Sequence, residues 1–197
     1  AAGDELVRKV GPLLAELSRA TASLGRADGA RDGRIRLGAV DRLAAYVLPP
    51  ILRSFRGGHP RVDLRLTCAP TTTLPVQLAA GELDLAITVS GGEAVSESLE
   101  RHLLWEEELV LVLPPRHPSR SRSIASYQGE RFILPPPIDA GRRRLDRRLA
   151  EQGLVLEVAA ENANVEVIKA LVGAGLGLSL LPETAVRRET RQGELAA

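Results

Sequence analysis

Aromatic side chains are nearly missing from this sequence, with two Phe, two Tyr and one Trp among 197 residues. A core must therefore be built from Leu, Val, Ala and Ile, and no platform of stacked rings for single-stranded nucleic acid can be assembled. Cysteine occurs once, at Cys68, so an internal disulfide is excluded; the chain is no bridged secreted scaffold, and a reducing cytoplasm is the expected setting. No apolar run approaches the roughly 20 residues that span a bilayer, and the opening AAGDELVRKV has no apolar export segment. A soluble, unexported chain with no membrane partner is expected. Methionine is also missing, which makes a processed start, or a cut from something longer, the expectation. An excess of either charge is lacking too: the net charge is +1 and the pI near 8.2, so the bulk charge supplies no reason to hold phosphate backbones.

What is present fits a globular chain. Hydrophobic residues make up 44% and charged residues 26%, ordinary values that exclude wholesale disorder, and 197 residues suffice for one large or two small units with buried cores. Leu6, Val10, Leu13, Leu14, Leu17 and Leu24 recur at helical spacing until the polar stretch 25–33. Residues 1–30 thus read as an amphipathic linker helix, either one kinked helix or two, since Gly11-Pro12 interrupts the pattern. Its apolar stripe packs either on its own domain or, as in a coiled coil, on a second chain.

From Arg34 onward strands and helices alternate. RIRLGAV reads as a first strand, 43–56 as a helix holding Pro49 and Pro50, and HPRVDLRLTCA as a second strand with Val62, Leu64 and Leu66 on one face. A helix over 74–80 stops at Gly81, and LDLAITV is a short apolar strand of the kind buried in parallel sheets. LLWEEELVLVLPP supplies another strand. Then come FILPPP as a strand, 142–152 as a helix, LVLEVAAE as a strand, 165–173 as a helix and LGLSLLP as a strand. The expected fold is α/β, with two Rossmann-like lobes at 34–113 and 114–197 facing each other across a cleft. Ligands of such sheets lie beyond the carboxyl ends of the strands.

Several segments, taken in order, resemble the LysR family of bacterial transcription regulators. AAGDELVRKVGPLLAEL resembles the entry to that family's linker helix, and GRIRLGAV the strand opening the first lobe. LPPILRSFRGGHPRVDLRL is similar to the helix, His-Pro turn and strand that follow. LPVQLAAGELDLAI, ELVLVLPPRHP and IKALVGAGLGLSLLP resemble the later helix, turn and strand segments. The resemblance implies a type 2 periplasmic-binding-protein-like effector domain behind a linker helix. It implies a small-molecule effector, organic acid, aromatic acid or sugar, whose binding controls transcription of catabolic or biosynthetic genes by a homodimer or homotetramer. DNA contact is expected only through a winged helix-turn-helix domain, which does not precede Ala1. The family also continues beyond RQGELAA with strands and a helix returning to the first lobe, so that part is expected to be missing. No cofactor or metal is implied.

The candidate ligand contacts sit at strand-to-helix turns. Asp41 and Arg42 follow the first strand at a helix start, where free N–H groups favour an anion. Asp41 has the plainer alternative of a helix cap, and Arg42 that of a surface cation, although its forked guanidinium suits a carboxylate. Thr71, Thr72 and Thr73 follow the second strand, and one of them is expected to cap the next helix. By resemblance Thr71 corresponds to a ligand-contacting hydroxyl. In the second lobe Ile138, Asp139, Ala140 and Gly141 open a helix, with Arg42 or Arg142 the cation that would compensate Asp139 toward an anionic effector; without such compensation a neutral polyol or sugar comes into play. Asn164, beside Asn162, precedes another helix and has capping as its plainer role. Asp84 reads as a structural turn acid.

Catalysis finds no support in the pattern. His59, His102 and His117 are scattered and none pairs with Cys68, which reads as a small buried residue. GAGLGLSLLP runs from helix into strand, the wrong order for a phosphate-binding loop. Arg142, Arg143, Arg144, Arg147 and Arg148, interleaved with Asp146 and Glu151, read as a solvated helix face. A regulatory binding domain is therefore expected; a stand-alone solute-binding protein and an enzyme on the same two-lobed scaffold are the alternatives.

Overall fold

The structure is a computed structural model that describes residues 33–89, 99–119, 121 and 123–197. The expected linker helix at 1–30 lies outside the described residues. The chain divides into two compact units, Ala1–Glu106 and Glu107–Ala197.

In the first unit β1 (Arg34–Ala39) is the central strand of a parallel sheet, flanked by β2 (Asp63–Cys68) and β3 (Leu85–Ile87). Ile35, Leu37 and Ala39, which share one face of the strand, are fully buried, as the alternation of RIRLGA requires. The helical stretch after β1 is broken in two, α1 (Asp41–Tyr46) and α2 (Leu48–Gly58), with a turn at Val47. The prolines explain the break: Pro49 and Pro50 sit in the first turn of α2, where the missing N–H has no helical partner to lose. Leu48, Ile51 and Phe55 then line one stripe of α2 and close over the sheet. α3 (Leu74–Ala79) and Leu83 cover the other side of β1 at Gly38, where a Cβ would stand 2.5 Å from the Leu83 Cδ1 and 2.7 Å from the Leu74 Cδ2. Only glycine lets those leucines reach the strand.

Arg36 and Asp84 lock the entry to β3. The Asp84 carboxylate accepts the Arg36 backbone N–H at 2.7 Å and its guanidinium at 2.7 and 3.2 Å, while Arg36 also donates to the Gly81 carbonyl. The Arg36 side chain is the main reason the Asp84 carboxyl lies below the usual range, partial burial working the other way. Asp84 is thus a structural acid. β2, by contrast, is an edge strand: Leu66 is 40% exposed although it shares a face with the half-buried Leu64.

In the second unit β5 (Arg131–Leu134) pairs in parallel with β6 (Glu157–Glu161), and β4 (Leu109–Val112) pairs antiparallel with β7 (Ser179–Pro182). A parallel bridge between Phe132 and Leu178 joins the two pairs, with Ile133 N–H donating to Leu178 at 2.7 Å and Leu178 N–H to Arg131 at 2.8 Å. The pairing of β4 with β7 ties it to this unit, although it precedes the boundary expected at 113/114. Alternate residues feed two cores. Val112 and Ile133 pack with Ile168 and Val172 of α5 (Val165–Gly173) and Val186 of α6 (Glu183–Gln192), whereas Leu113, Phe132 and Leu134 pack with Tyr127 and Leu178. α4 (Ala140–Glu151) follows β5 and buries Leu149.

Two helices of this unit are joined by an ion pair. Lys169 on α5 donates to Glu189 on α6 at 2.9 Å and to the Ala185 carbonyl at 3.0 Å, and both side chains are buried. Burial alone would push the Glu189 carboxyl up, but Lys169, a backbone N–H and Arg188 outweigh it and hold the carboxyl below its usual range.

The bridge that unites the sheet depends on Gly177, where a Cβ would lie 2.8 Å from the Arg131 carbonyl oxygen. Gly177→Val must push the strands apart at their junction, and a loss of about 1–3 kcal/mol is expected. Chemical denaturation measures it; an unchanged midpoint would show the junction to be slack.

Candidate functional site

The parallel pairing of β2, β1 and β3 brings three strand ends to one edge of the first unit. Asp41 follows β1, Cys68 and Thr71 end or follow β2, and Thr88 follows β3. Thr88 donates to Thr71, hydroxyl to hydroxyl at 3.1 Å, so the loops after the two flanking strands meet across the end of the central one. Thr88 escaped sequence reasoning; its only signal was its place directly after an apolar strand. The Asp41 carboxylate accepts from the Cys68 thiol. Burial of part of the thiol, then the charge and hydrogen bond of Asp41, push its pKa up, so the neutral form is favoured.

Three expectations for this edge are corrected. Cys68 is exposed, because it ends a strand whose outer side has no neighbouring strand among the described residues. Asp41 is no cap: Val40 holds that position with extended backbone and an apolar side chain, and Asp41 is the first residue of the six-residue α1. Nor does a threonine hydroxyl cap α3, because Thr73 at the cap has φ −86° and ψ −38°, a helical conformation unlike the extended one of side-chain caps. Backbone does the work instead, with the N–H groups of Thr73 and Leu74 donating to the Pro70 carbonyl. Thr72 and Thr73 are exposed and Thr71 is half-buried. Arg42 is half-buried and already engaged by another group. α1 and α3 are each six residues long, too short for much of a dipole, so the hydroxyls and the Asp41–Cys68 pair set the chemistry of this edge.

In the second unit the turns after β5 and β6 carry the remaining candidates. Asp139 caps α4, accepting the Arg142 N–H at 2.9 Å from an extended backbone. Ala140 and Gly141 form the first turn, and a Cβ on Gly141 would come within 3.0 Å of the Asp139 carboxylate. Ile138 is 81% exposed, and its carbonyl accepts from Arg143. Arg142 is buried, and its Nε and Nη1 are engaged: Nε donates to both Asp146 oxygens at 2.8 and 2.9 Å, and Nη1 to the Pro135 carbonyl at 2.8 Å and to Glu161 at 3.2 Å. It clamps the proline turn to the end of β6, and the charge it could lend an anionic effector is already shared with Asp146 and Glu161. Asn164 caps α5 by accepting the Glu166 N–H at 2.9 Å, and Asn162 accepts the Asn164 N–H at 2.8 Å.

Among the described residues no group of three or more His, Cys, Asp or Glu is placed to hold a metal ion, and no helix is long and apolar enough to cross a membrane. The histidines serve turns: His59 stacks on Phe55, His102 lies 3.1 Å from Glu100, and His117 bonds Ser119 and lies against Tyr127.

The family model described as the LysR substrate binding domain matches residues 28–197. The chain belongs to that family. Among curated relatives, the HTH-type transcriptional regulator GltR of Bacillus subtilis is 31% identical over 98% of this chain and 64% of its own length. The regulator CbbR of Rhodospirillum rubrum is 29% identical over 98% of this chain and 63% of its own length. This LysR-family chain therefore spans less than two thirds of the length of these relatives, which are transcription regulators and not enzymes. Among solved structures, the LysR-family regulator HinK of Pseudomonas aeruginosa matches with TM-score 0.71 and 24% identity, covering 92% of this chain and 62% of that one. The BenM effector binding domain, solved with its effector benzoate, matches with TM-score 0.69 and 23% identity over 79% of this chain and 72% of that one. The fold is that of LysR effector-binding domains, of the type 2 periplasmic-binding-protein class.

The Asp41–Cys68 contact has a direct readout. Replacing Asp41 by Asn removes the charge that helps keep the thiol neutral, so Cys68 should be alkylated by iodoacetamide severalfold faster at mildly alkaline pH, its pH profile moving to lower pH. An unaltered rate and profile would show that the two groups do not interact in solution.

Proposed function

We propose that this chain is the effector-sensing part of a DNA-binding transcription regulator. A small metabolite, an organic or aromatic acid or a sugar, binds at the strand-end loops and changes how the assembled regulator holds its operator. The observation that carries this reading is the convergence of Thr71, Thr88 and Asp41 at the carboxyl edge of β2, β1 and β3, the edge where ligands of parallel sheets lie. Thr71 is the principal contact. Its hydroxyl accepts from Thr88 and keeps its own O–H and a second lone pair for a ligand. Asp41, Arg42, Thr72 and Thr73 border it in the first unit, and Ile138, Asp139, Ala140, Gly141 and Asn164 are the corresponding contacts in the second.

With Arg142 tied to Asp146, Pro135 and Glu161, and Arg42 engaged as well, ligand selection falls mainly to hydroxyls and backbone N–H groups. Each regulator acts as a homodimer or homotetramer, and the effector shifts its arrangement by its differential affinity for two states, about 1–3 kcal/mol in typical allosteric proteins.

A thermal-shift screen against carboxylic acids, aromatic acids and sugars tests the reading. A ligand at 100 times its Kd stabilises by about 2.7 kcal/mol, which for a chain of this size raises Tm by roughly 5–10 °C. Thr71→Val should weaken the responding ligand about tenfold with little change in the Tm of the free chain. A response equal in both proteins would remove Thr71 from the site, and no response to any class would contradict effector sensing by this chain.

A further inference from the structure

Five arginines fall within the 12 residues of α4: Arg142, Arg143, Arg144, Arg147 and Arg148. In the sequence, Asp146 and Glu151 stand among them and promise a face neutralised by its own acids. The structure arranges the charges otherwise. Asp146 is half-exposed, but its carboxylate is engaged by the buried Arg142, with both oxygens bound to Nε at 2.8 and 2.9 Å, so its charge is matched by Arg142 and by none of the exposed arginines. Arg143, Arg144, Arg147 and Arg148 are all exposed, and as i, i+1, i+4 and i+5 they share one face of the helix. Arg143 reaches back to the Ile138 carbonyl. Arg144, Arg147, Arg148 and Glu151 form no ion pair with another described residue. Arg144 and Arg148 stand one turn apart and repel, with Glu151 the acid nearest them on that side of the helix, and an external anion would relieve the repulsion.

We propose that this arginine face of α4 is a contact surface for the phosphate backbone of double-stranded DNA. Its composition selects that partner over an acidic protein. A protein interface needs an apolar centre with aromatic or aliphatic anchors, and α4 exposes none: its Leu145 and Leu149 pack into the unit. A phosphate backbone needs only closely spaced cations, and guanidinium forks match phosphate oxygens in pairs. Guanidinium contacts to phosphate oxygens carry no sequence information, so a contact made through the backbone is indifferent to sequence. It adds to the DNA contact expected of a helix-turn-helix domain. From the regulator reading it borrows only the presence of DNA; effector response is read by thermal shift and DNA contact by titration, so either can fail alone.

The experiment is a fluorescence-anisotropy titration of a labelled mixed-sequence duplex with this chain, repeated between roughly 50 and 200 mM salt. The affinity should fall with salt at a logarithmic slope of about 0.9 per phosphate neutralised, hence roughly 3 to 4 for four arginines. The triple variant Arg144→Gln/Arg147→Gln/Arg148→Gln should lower that slope by about 2 to 3 and weaken low-salt binding at least about tenfold. Its melting temperature should not fall, since these side chains are exposed. Arg53→Gln/Arg56→Gln, on the exposed side of α2, is the control and should bind as the unaltered chain does. Absence of binding at the lowest salt, or an equal slope in the triple variant and the control, would overturn the proposal. So would binding of poly-glutamate by a chain that ignores the duplex, which would assign the face to an acidic protein.

Discussion

Parallel pairing on both sides of β1 is the constraint on which the first unit's chemistry depends. A central strand in register with β2 from Arg34–Asp63 to Ala39–Cys68, and with β3 from Leu37–Leu85 to Ala39–Ile87, forces all three strands to end together. Whatever follows the strands must then meet at that edge. Gly38 is the local condition for the arrangement, since it lets Leu74 and Leu83 press onto the strand and seat the loop that carries Thr71. The Thr71–Thr88 bond is a consequence of strand order: two loops from opposite sides close over the end of the strand between them.

The second unit reaches a comparable layout by other means. Two of its helix starts are capped by side chains, Asp139 for α4 and Asn164 for α5, and the buried Arg142 is committed to the proline turn. Asp139 and Asn164, both candidate ligand contacts, thus also hold the backbone in place. The same commitment reshapes the outside of α4. Because Asp146 is engaged by Arg142, the exposed Arg144, Arg147 and Arg148 form no ion pair along α4 among the described residues, and a fold-stabilising bond leaves a charged surface.

Much of the fold could be read from the chain because periodicity and end signals coincide. The helix 165–173 appears with those bounds since Asn164 caps one end and a Gly-rich turn follows the other. The alternation of RIRLGA marked a buried strand, and β1 is one. The family could be read as well, from the order of several short segments, and the match over residues 28–197 agrees. The site was less legible. Cys68 was expected inside, yet exposure depends on which strand lies at the edge, which alternation does not encode. A run of three threonines before a helix suggests a cap, but capping requires an extended backbone, and Pro70 and Pro75 bracket a turn in which Thr73 is helical instead. Neither the partner of Thr71 nor the inward turn of Asp146 is visible in spacing alone, because each choice is made by tertiary packing.

The central claim is that a small molecule is held where β1, β2 and β3 end. Hydrogen exchange followed by mass spectrometry, with and without the compound giving the largest thermal shift, tests it directly, since protection reports where a ligand stabilises the backbone. Slowed exchange over 39–43, 68–74 and 87–89 is the predicted result. Protection confined to the edge strand's far end, to α2 or to no segment of the first unit would contradict the account.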